Sequence, residues 1–354
     1  MNIIYTFCTS AGCGDLGGSY AGVVRGADGN FYGVTPQGGN SNPSLCSQSF
    51  GTGECGTAYR VTPEGAFSVI YDFCSQANCA DGAVPFGQLI SGIDGNLYGT
   101  TAQGGASGQG TVFKLTLGGK LSVLYSFNVS PCGNGQGWCA PLVQANNGKL
   151  YGTTTFGGTN GAGSFFELTL AGAFTTLYSF CSQANCADGY NPAGFVQGSD
   201  GNFYGATFSF YSGGGCGTAF RITAAGALTT LHSFNGSDGC NPSGLVQHTN
   251  GTFYGETFLG GTNNQGTLFS LSVGLGSFVE TLPSAGKVGA RVEILGSDLT
   301  GATSVTFNAV SANFRVVSAT EITATVPTGA TTGKVEVVIP AGTLKSNTKF
   351  HVRP

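Results

Sequence analysis

One hexapeptide returns five times along the chain, and it restricts the possible folds more than any other feature. Asp28-Gly-Asn-Phe-Tyr-Gly33 is echoed by Asp94-Gly-Asn-Leu-Tyr-Gly99, Asn147-Gly-Lys-Leu-Tyr-Gly152, Asp200-Gly-Asn-Phe-Tyr-Gly205 and Asn250-Gly-Thr-Phe-Tyr-Gly255. Its tyrosines (Tyr32, Tyr98, Tyr151, Tyr204, Tyr254) stand 66, 53, 53 and 50 residues apart. Such a period means one supersecondary unit repeated, each copy hiding its apolar face against the next.

Each unit holds four short apolar runs separated by turn residues. In the second unit they are Gln88-Leu-Ile-Ser91, the Leu-Tyr-Gly run ending at Thr101, Gly110-Thr-Val-Phe-Lys-Leu-Thr116 and Leu124-Tyr-Ser-Phe127. Asp-Gly and Asn-Gly pairs join the first two runs, because both residues tolerate the positive φ of a tight hairpin. Four strands per period of roughly 50 residues describe a propeller blade. The fifth unit lacks a Tyr-x-Phe strand after Leu271, whereas the chain opens with Ile3-Ile-Tyr-Thr-Phe7, a fourth strand with no blade before it. The expectation is an all-β, five-bladed β-propeller over residues 1–278, closed by the N-terminal strand. Over residues 279–354 the repeats stop and valine- and threonine-rich alternation suits an immunoglobulin-like β-sandwich.

Only 8% of the residues are charged. Lys and Arg number six before residue 280 against twelve Asp and Glu, and seven against five afterwards. No basic stripe exists to neutralise phosphates, which argues against nucleic acid. No apolar run is long enough to span a bilayer as a helix.

Twelve cysteines all precede residue 241. Cys8/Cys13, Cys74/Cys79, Cys181/Cys186 and Cys132/Cys139 form close pairs. Cys46–Cys55 and Cys216–Cys240 complete the set as first choices, although Cys55 aligns with Cys216 and other pairings stay open. Without nearby histidines or Cys-x2-Cys spacing, disulfides are expected, not metal, and an oxidising, extracellular or cell-surface location with them. No signal peptide stands at Met1, so an export segment is expected to have been removed or to lie beyond the residues given. In an up-and-down blade, every cysteine falls in loops after strands two and four, which share one face of the disc. Long loops over a rigid scaffold are where binding resides.

Chemistry is sparse. Arg25, Ser91, Gln144, Gln197 and Gln247 form a mostly amide ring in the strands nearest the axis, read as a self-satisfied inner ring. Glu256 is the odd carboxylate among Val34, Thr100, Thr153 and Ala206. Asp81 and Asp188, in the repeated Cys-Ala-Asp-Gly string, and Trp138, Tyr20, Tyr190 and Tyr211 are the candidate ligand-binding residues of the cysteine face. Catalysis is not expected, since a glycosidase needs two converging carboxyl groups, and Asp81, Asp188 and Glu54 are the only candidates. Among the three histidines, His232 replaces a strand-four tyrosine and is read as core. No cofactor is implied.

The strings Asp94-Gly-Asn-Leu-Tyr-Gly-Thr-Thr101, Gly110-Thr-Val-Phe-Lys-Leu115 and Leu124-Tyr-Ser-Phe127 resemble the GloVer (Gloeobacter/Verrucomicrobium-type) tandem repeat of bacterial exported proteins, over roughly residues 1–275. Gly296-Ser-Asp-Leu-Thr-Gly-Ala-Thr-Ser-Val-Thr-Phe307 and Ser318-Ala-Thr-Glu-Ile-Thr-Ala-Thr-Val-Pro327 resemble an IPT/TIG immunoglobulin-like domain. The resemblance implies export and often a C-terminal sorting anchor; with none before Pro354, release or assembly with partners is expected. It brings no catalytic residues. The leading expectation is a secreted or cell-surface, non-catalytic binding or adhesion protein that engages a glycan or surface polymer. A subunit that polymerises with copies of itself into a filament or surface layer is the alternative, and a glycoside hydrolase or lyase the second.

Overall fold

The computed structural model describes residues 3–7, 21–42, 44, 46, 53–129, 142–208 and 215–353. The fold is all-β and made of many small sheets, antiparallel except for one parallel pair. Sheet one runs Val24–Arg25 (β1), Phe31–Thr35 (β2), Thr57–Val61 (β3) and Phe67–Asp72 (β4) in simple meander order. Sheet two has a split first strand, Ala83–Pro85 (β5) and Ile90–Ser91 (β6), both paired to Leu97–Gln103 (β7), then Thr111–Leu115 (β8) and Leu121–Ser126 (β9). Sheet three holds Val143–Gln144 (β10), Leu150–Thr154 (β11), Ser164–Leu168 (β12) and Phe174–Ser179 (β13). Sheet four holds Pro192–Gln197 (β14), Phe203–Thr207 (β15), Thr218–Ile222 (β16) and Leu228–Ser233 (β17). Sheet five has three strands, Cys240–Gln247 (β18), Phe253–Leu259 (β19) and Thr267–Leu271 (β20).

The repeated hexapeptide builds the first hairpin of each sheet. Asp94 accepts hydrogen bonds from the Asn96 N–H at 3.1 Å and the Tyr98 hydroxyl at 2.9 Å, which pins the turn to the strand that follows it. Asp28 and Asp200 do the same for Tyr32 and Tyr204. Sheet three replaces the acid with Asn147, and there the Tyr151 hydroxyl donates to Glu167 from the neighbouring strand at 2.8 Å.

Consecutive sheets pack face to face. Tyr32, Val34 and Ala58 of sheet one lie in one buried cluster with Leu97, Phe113 and Leu115 of sheet two, and Tyr98 and Val112 with Leu150, Phe166 and Leu168 of sheet three. Tyr151 and Phe165 meet Phe203, Phe220 and Ile222 of sheet four, and Tyr204 meets Leu245 and Phe253 of sheet five. An edge-to-face aromatic contact recurs at every one of these boundaries. Phe73–Phe113, Phe127–Phe166, Phe180–Phe220 and Phe234–Phe269 have ring centroids 5.2, 5.8, 5.3 and 5.0 Å apart. In each pair the first ring follows a sheet's outer strand and the second belongs to the next sheet.

Residues 3–7 repeat this packing on sheet one. Phe7 meets Tyr59 edge-to-face at 5.4 Å, and Tyr5 stacks on Phe67 at 4.1 Å much as Tyr125 stacks on Phe174 at 4.0 Å. Among the described residues the expected closing pair is not present: β20 pairs with β19 alone, and residues 3–7 form no strand. The forces that hold residues 3–7 are side-chain contacts to sheet one, and these do not require β20. Sheet five therefore shows a bare face. Leu268, in the register place of Ala58, Val112, Phe165 and Ala219, is 80% exposed where those four are at most 1% exposed.

The C-terminal part forms two four-stranded sheets around one core. One runs Glu280–Leu282 (β21), Arg291–Leu295 (β23), Glu321–Thr325 (β27), Phe314–Ser318 (β26); the other runs Val310–Ser311 (β25), Ser304–Phe307 (β24), Val335–Ile339 (β28), Gly342–Lys345 (β29). Val292, Ile294, Val305, Phe307, Ile322, Val335 and Val337 fill the space between them. Ala285–Lys287 (β22) and His351–Arg353 (β30) add the parallel pair.

Candidate functional site

Turns after first and third strands leave each sheet at one end, and connections after second and fourth strands leave at the other. The C-terminal part contacts the first end. Asn146 Nδ2 donates to the Asn347 carbonyl at 3.2 Å, Thr249 Oγ1 lies 2.8 Å from Ser297 Oγ, and the Arg353 guanidinium approaches the Gly95 turn. The second end carries the cysteine loops, and among the described residues no hydrogen bond joins it to that part.

Four disulfides tie the loops of this second end: Cys46–Cys55, Cys74–Cys79, Cys181–Cys186 and Cys216–Cys240. Cys8, Cys13, Cys132 and Cys139 lie outside the described residues, as do Tyr20, Trp138 and Tyr211. A further convergence was not legible in the spacing. The sulfurs of Cys46, Cys55, Cys74 and Cys79 all lie within 4.8 Å of one another, because the loop after β2 folds against the loop after β4. Asn42 Nδ2 approaches the Cys79 sulfur at 3.6 Å, and Asn40 Nδ2 donates to the Phe73 carbonyl at 3.1 Å, joining the two loops. The sulfurs are bonded in pairs, which makes this cluster a cross-linked knot.

The candidate acids sit beneath the loops. Asp81 is fully buried; its carboxylate accepts the Tyr71 hydroxyl at 2.7 Å, the Ser75 N–H at 2.9 Å and the Gln76 N–H at 3.1 Å. Asp188 is buried in the same way by Tyr178 at 2.7 Å, Ser182 N–H at 2.9 Å and Gln183 N–H at 3.1 Å. Both are therefore loop anchors, and the expectation that they face a ligand is corrected: their oxygens are already filled by their own loop. Burial pushes the Asp188 carboxyl up, but the Tyr178 hydroxyl and the two N–H donors outweigh it and hold the group below the usual carboxylate range. Burial and the partner carboxylates correspondingly raise the Tyr71 and Tyr178 hydroxyls.

The third loop of this kind replaces the tyrosine and keeps the aspartate. His232 takes the tyrosine place and Asp238 the acid's, with Nε2 to Oδ2 at 2.8 Å. His232 is not core, as its sequence position suggested; its side chain is 44% exposed. Glu54 accepts the Gly38 N–H at 3.1 Å, and Glu256 lies on the bare face of sheet five, where the Ser243 hydroxyl donates to it at 3.4 Å.

The amide ring is a latch between sheets. Gln144 Oε1 accepts the Ile93 N–H of the preceding sheet's turn at 2.8 Å while its Nε2 donates to the Gly148 carbonyl at 2.9 Å. Gln197 repeats both bonds with Asn146 and Gly201, and Gln247 with Ser199 and Gly251. Each of these amides thus spends an oxygen and an N–H on holding neighbouring turns together.

What the loop end offers is an open, polar hollow of ≈ 490 Å³ between Thr159, Asn160, Tyr178, Ser179, Cys181 and Ser182. The Asn160 amide donates to the Phe180 and Cys181 carbonyls at 3.2 and 3.1 Å, which fixes the hollow's wall. Tyr190 lies partly buried in the loop that follows. Hydroxyls beside an aromatic ring suit a polyhydroxylated ligand better than an apolar one.

The loop-bearing repeat scaffold is matched by the Gloeobacter/Verrucomicrobia repeat model over residues 1–209 and 181–293. The chain belongs to that repeat family, and it carries an IPT/TIG domain over residues 277–352. No curated protein matches. Among solved structures, it is similar to the calcium-binding protein regucalcin from Agrobacterium tumefaciens, with 14% identity, 62% of this chain and 70% of that one covered, and a TM-score of 0.39. A protein of unknown function from Dyadobacter fermentans matches at 11% identity over 87% and 94% of the two chains, with a TM-score of 0.41. Puromycin hydrolase matches at 12% identity over 67% of this chain and 33% of its own, with a TM-score of 0.38. Likenesses this distant carry nothing about activity.

Proposed function

We propose that this is an extracellular, non-catalytic binding protein whose disulfide-tied loop end engages a glycan or another surface polymer. The five sheets are read as blades of a propeller-type scaffold, and the C-terminal pair of sheets as an immunoglobulin-like sandwich that serves as a spacer or docking module. One observation carries the reading: the C-terminal domain is mounted on the turn end of the scaffold, which leaves the cross-linked loops free to meet a ligand. Disulfides support an oxidising compartment. No helix among the described residues is long and apolar enough to cross a membrane.

Catalysis by Asp81, Asp188 and Glu54 is disfavoured. A general acid needs its affinity for protons raised near neutrality, whereas Asp188 is held low and both aspartates are enclosed. Affinity electrophoresis in gels containing bacterial or plant polysaccharides tests the proposal. The wild type should be retarded by at least one polymer without releasing reducing ends. Alanine at Trp138, Tyr190 and Tyr211 together should abolish the retardation, because each stacked ring contributes on the order of 1 kcal/mol. Retardation unchanged in the triple variant removes these residues from the site.

A further inference from the structure

We propose that the outer edge of sheet five and residues 3–7 are the two halves of one contact, made between two copies of this chain. It goes beyond the ligand of the loop end and uses a different part of the molecule.

The first half is an edge and a face. Among the described residues β19 is the only partner of β20, whose other backbone edge is unpaired. Beside it Val246, Tyr254, Phe258, Leu259 and Leu268 are 62, 36, 71, 36 and 80% exposed. The equivalents of Tyr254 and Leu268 in the four earlier sheets are each at most 1% exposed, because a following sheet covers them. The missing cover thus has a known chemistry: a fourth strand to complete the ladder, and behind it the apolar face of a following sheet.

The second half has that chemistry. Residues 3–7 sit on sheet one as outer strands sit on the sheet after them: Phe7–Tyr59 matches the recurring edge-to-face pairs, and Tyr5–Phe67 matches the Tyr125–Phe174 stack. The turn contacts agree: Gly119, Gly172 and Gly226 lie against the carbonyls of Ile70, Leu124 and Leu177 in the preceding outer strand, and Gly65 lies against that of Ile4. Residues 3–7 thus occupy the place of an outer strand on its following sheet, without a third strand to pair with among the described residues. Ile3 and Ile4 are 76 and 52% exposed. Strand and sheet one together are what sheet five lacks.

Within one molecule these halves do not meet, so the occupant is the second copy, which necessarily carries the same donor. Residues 3–7 of the partner add to β20 by main-chain hydrogen bonds, and the partner's first sheet covers Leu268. The contact joins unlike surfaces, so each copy keeps one free half, and association either closes into a ring or continues as a filament.

Light scattering behind gel filtration, with hydrogen exchange on the same samples, decides the matter. Wild type should run at no less than twice its 35.7 kDa mass, with residues 3–7 and 267–271 protected. Leu268→Asp should return to single-chain mass, lose that protection and melt at the temperature of wild type diluted to single chains, because the side chain is 80% exposed in the single molecule. It should also keep any polysaccharide retention, which separates failure of this proposal from failure of the binding reading. Wild type at single-chain mass overturns the proposal in either form: with both segments protected the chain closes on itself, and with both exchanging the edges stay bare. Larger particles indifferent to Leu268→Asp overturn it equally.

Discussion

At the scale of single residues, the turn acids are the most instructive groups. Asp94 gathers the Asn96 amide, the Tyr98 hydroxyl and the Lys114 ammonium, the last at 2.7 Å. Burial opposes its charge, yet Lys114 and the Asn96 and Tyr98 donors win and bring its carboxyl down to about 2. A depressed acid stabilises the fold fully above its ordinary value of 3.8, and that contribution disappears as pH falls through about 2. Asp94→Asn should therefore cost about 0.5–1 kcal/mol at neutral pH, as a partly exposed ion pair does. It should also flatten the acid limb of stability, read from urea midpoints between about pH 5 and 2. Sheet three already runs this experiment: it has Asn147 in that place and transfers the acceptor role to Glu167, which pairs with Lys149 at 2.6 Å. The string itself exposes the Asp-Gly-Asn-x-Tyr spacing. It does not show that Asp81 and Asp188 are enclosed, because the hydroxyls that enclose them come from strands ten residues upstream in the chain.

At the scale of elements, four strands per repeat, hairpin turns and the cysteine-bearing loops are all legible from periodicity. The failure of residues 3–7 to pair with β20 is not. A sequence shows that two strands have matching patterns, but the outer strands are fastened by rings facing the next sheet as much as by their own ladder. Leu268 and Phe258 would each gain on the order of 2 kcal/mol on being covered. The turn glycines make the sheet-to-sheet join testable without touching the core. Gly226 has φ +86° and would drive a Cβ into the Leu177 carbonyl of sheet three, whereas Gly201 has φ +85° and open space around it. Alanine at Gly201 should cost about 1 kcal/mol from backbone conformation alone. Alanine at Gly226 should cost clearly more in chemical denaturation and should increase exchange in both β13 and β17; equal losses in the two variants would show that the carbonyl contact has no energetic weight.

At the scale of the whole molecule, two architectures and their order are legible, and the way they are joined is not. The join uses a backbone carbonyl at Asn347, two hydroxyls at Thr249 and Ser297, and an arginine over a glycine turn. None of these has a sequence signature, since any polar pair of suitable reach would serve. The C-terminal domain touches turns belonging to sheets two, three and five, not only the sheet to which it is tethered. That placement has a mechanical consequence. A pull on the C-terminus is shared among three sheets before the chain that leaves β20 comes taut. The mount loads the scaffold in parallel instead of unzipping it strand by strand. Under optical tweezers, Asn146→Ala with Thr249→Ala should lower the first rupture force while the melting temperature changes little. On the binding reading proposed above, drag on a captured polymer would be resisted by the scaffold as a body.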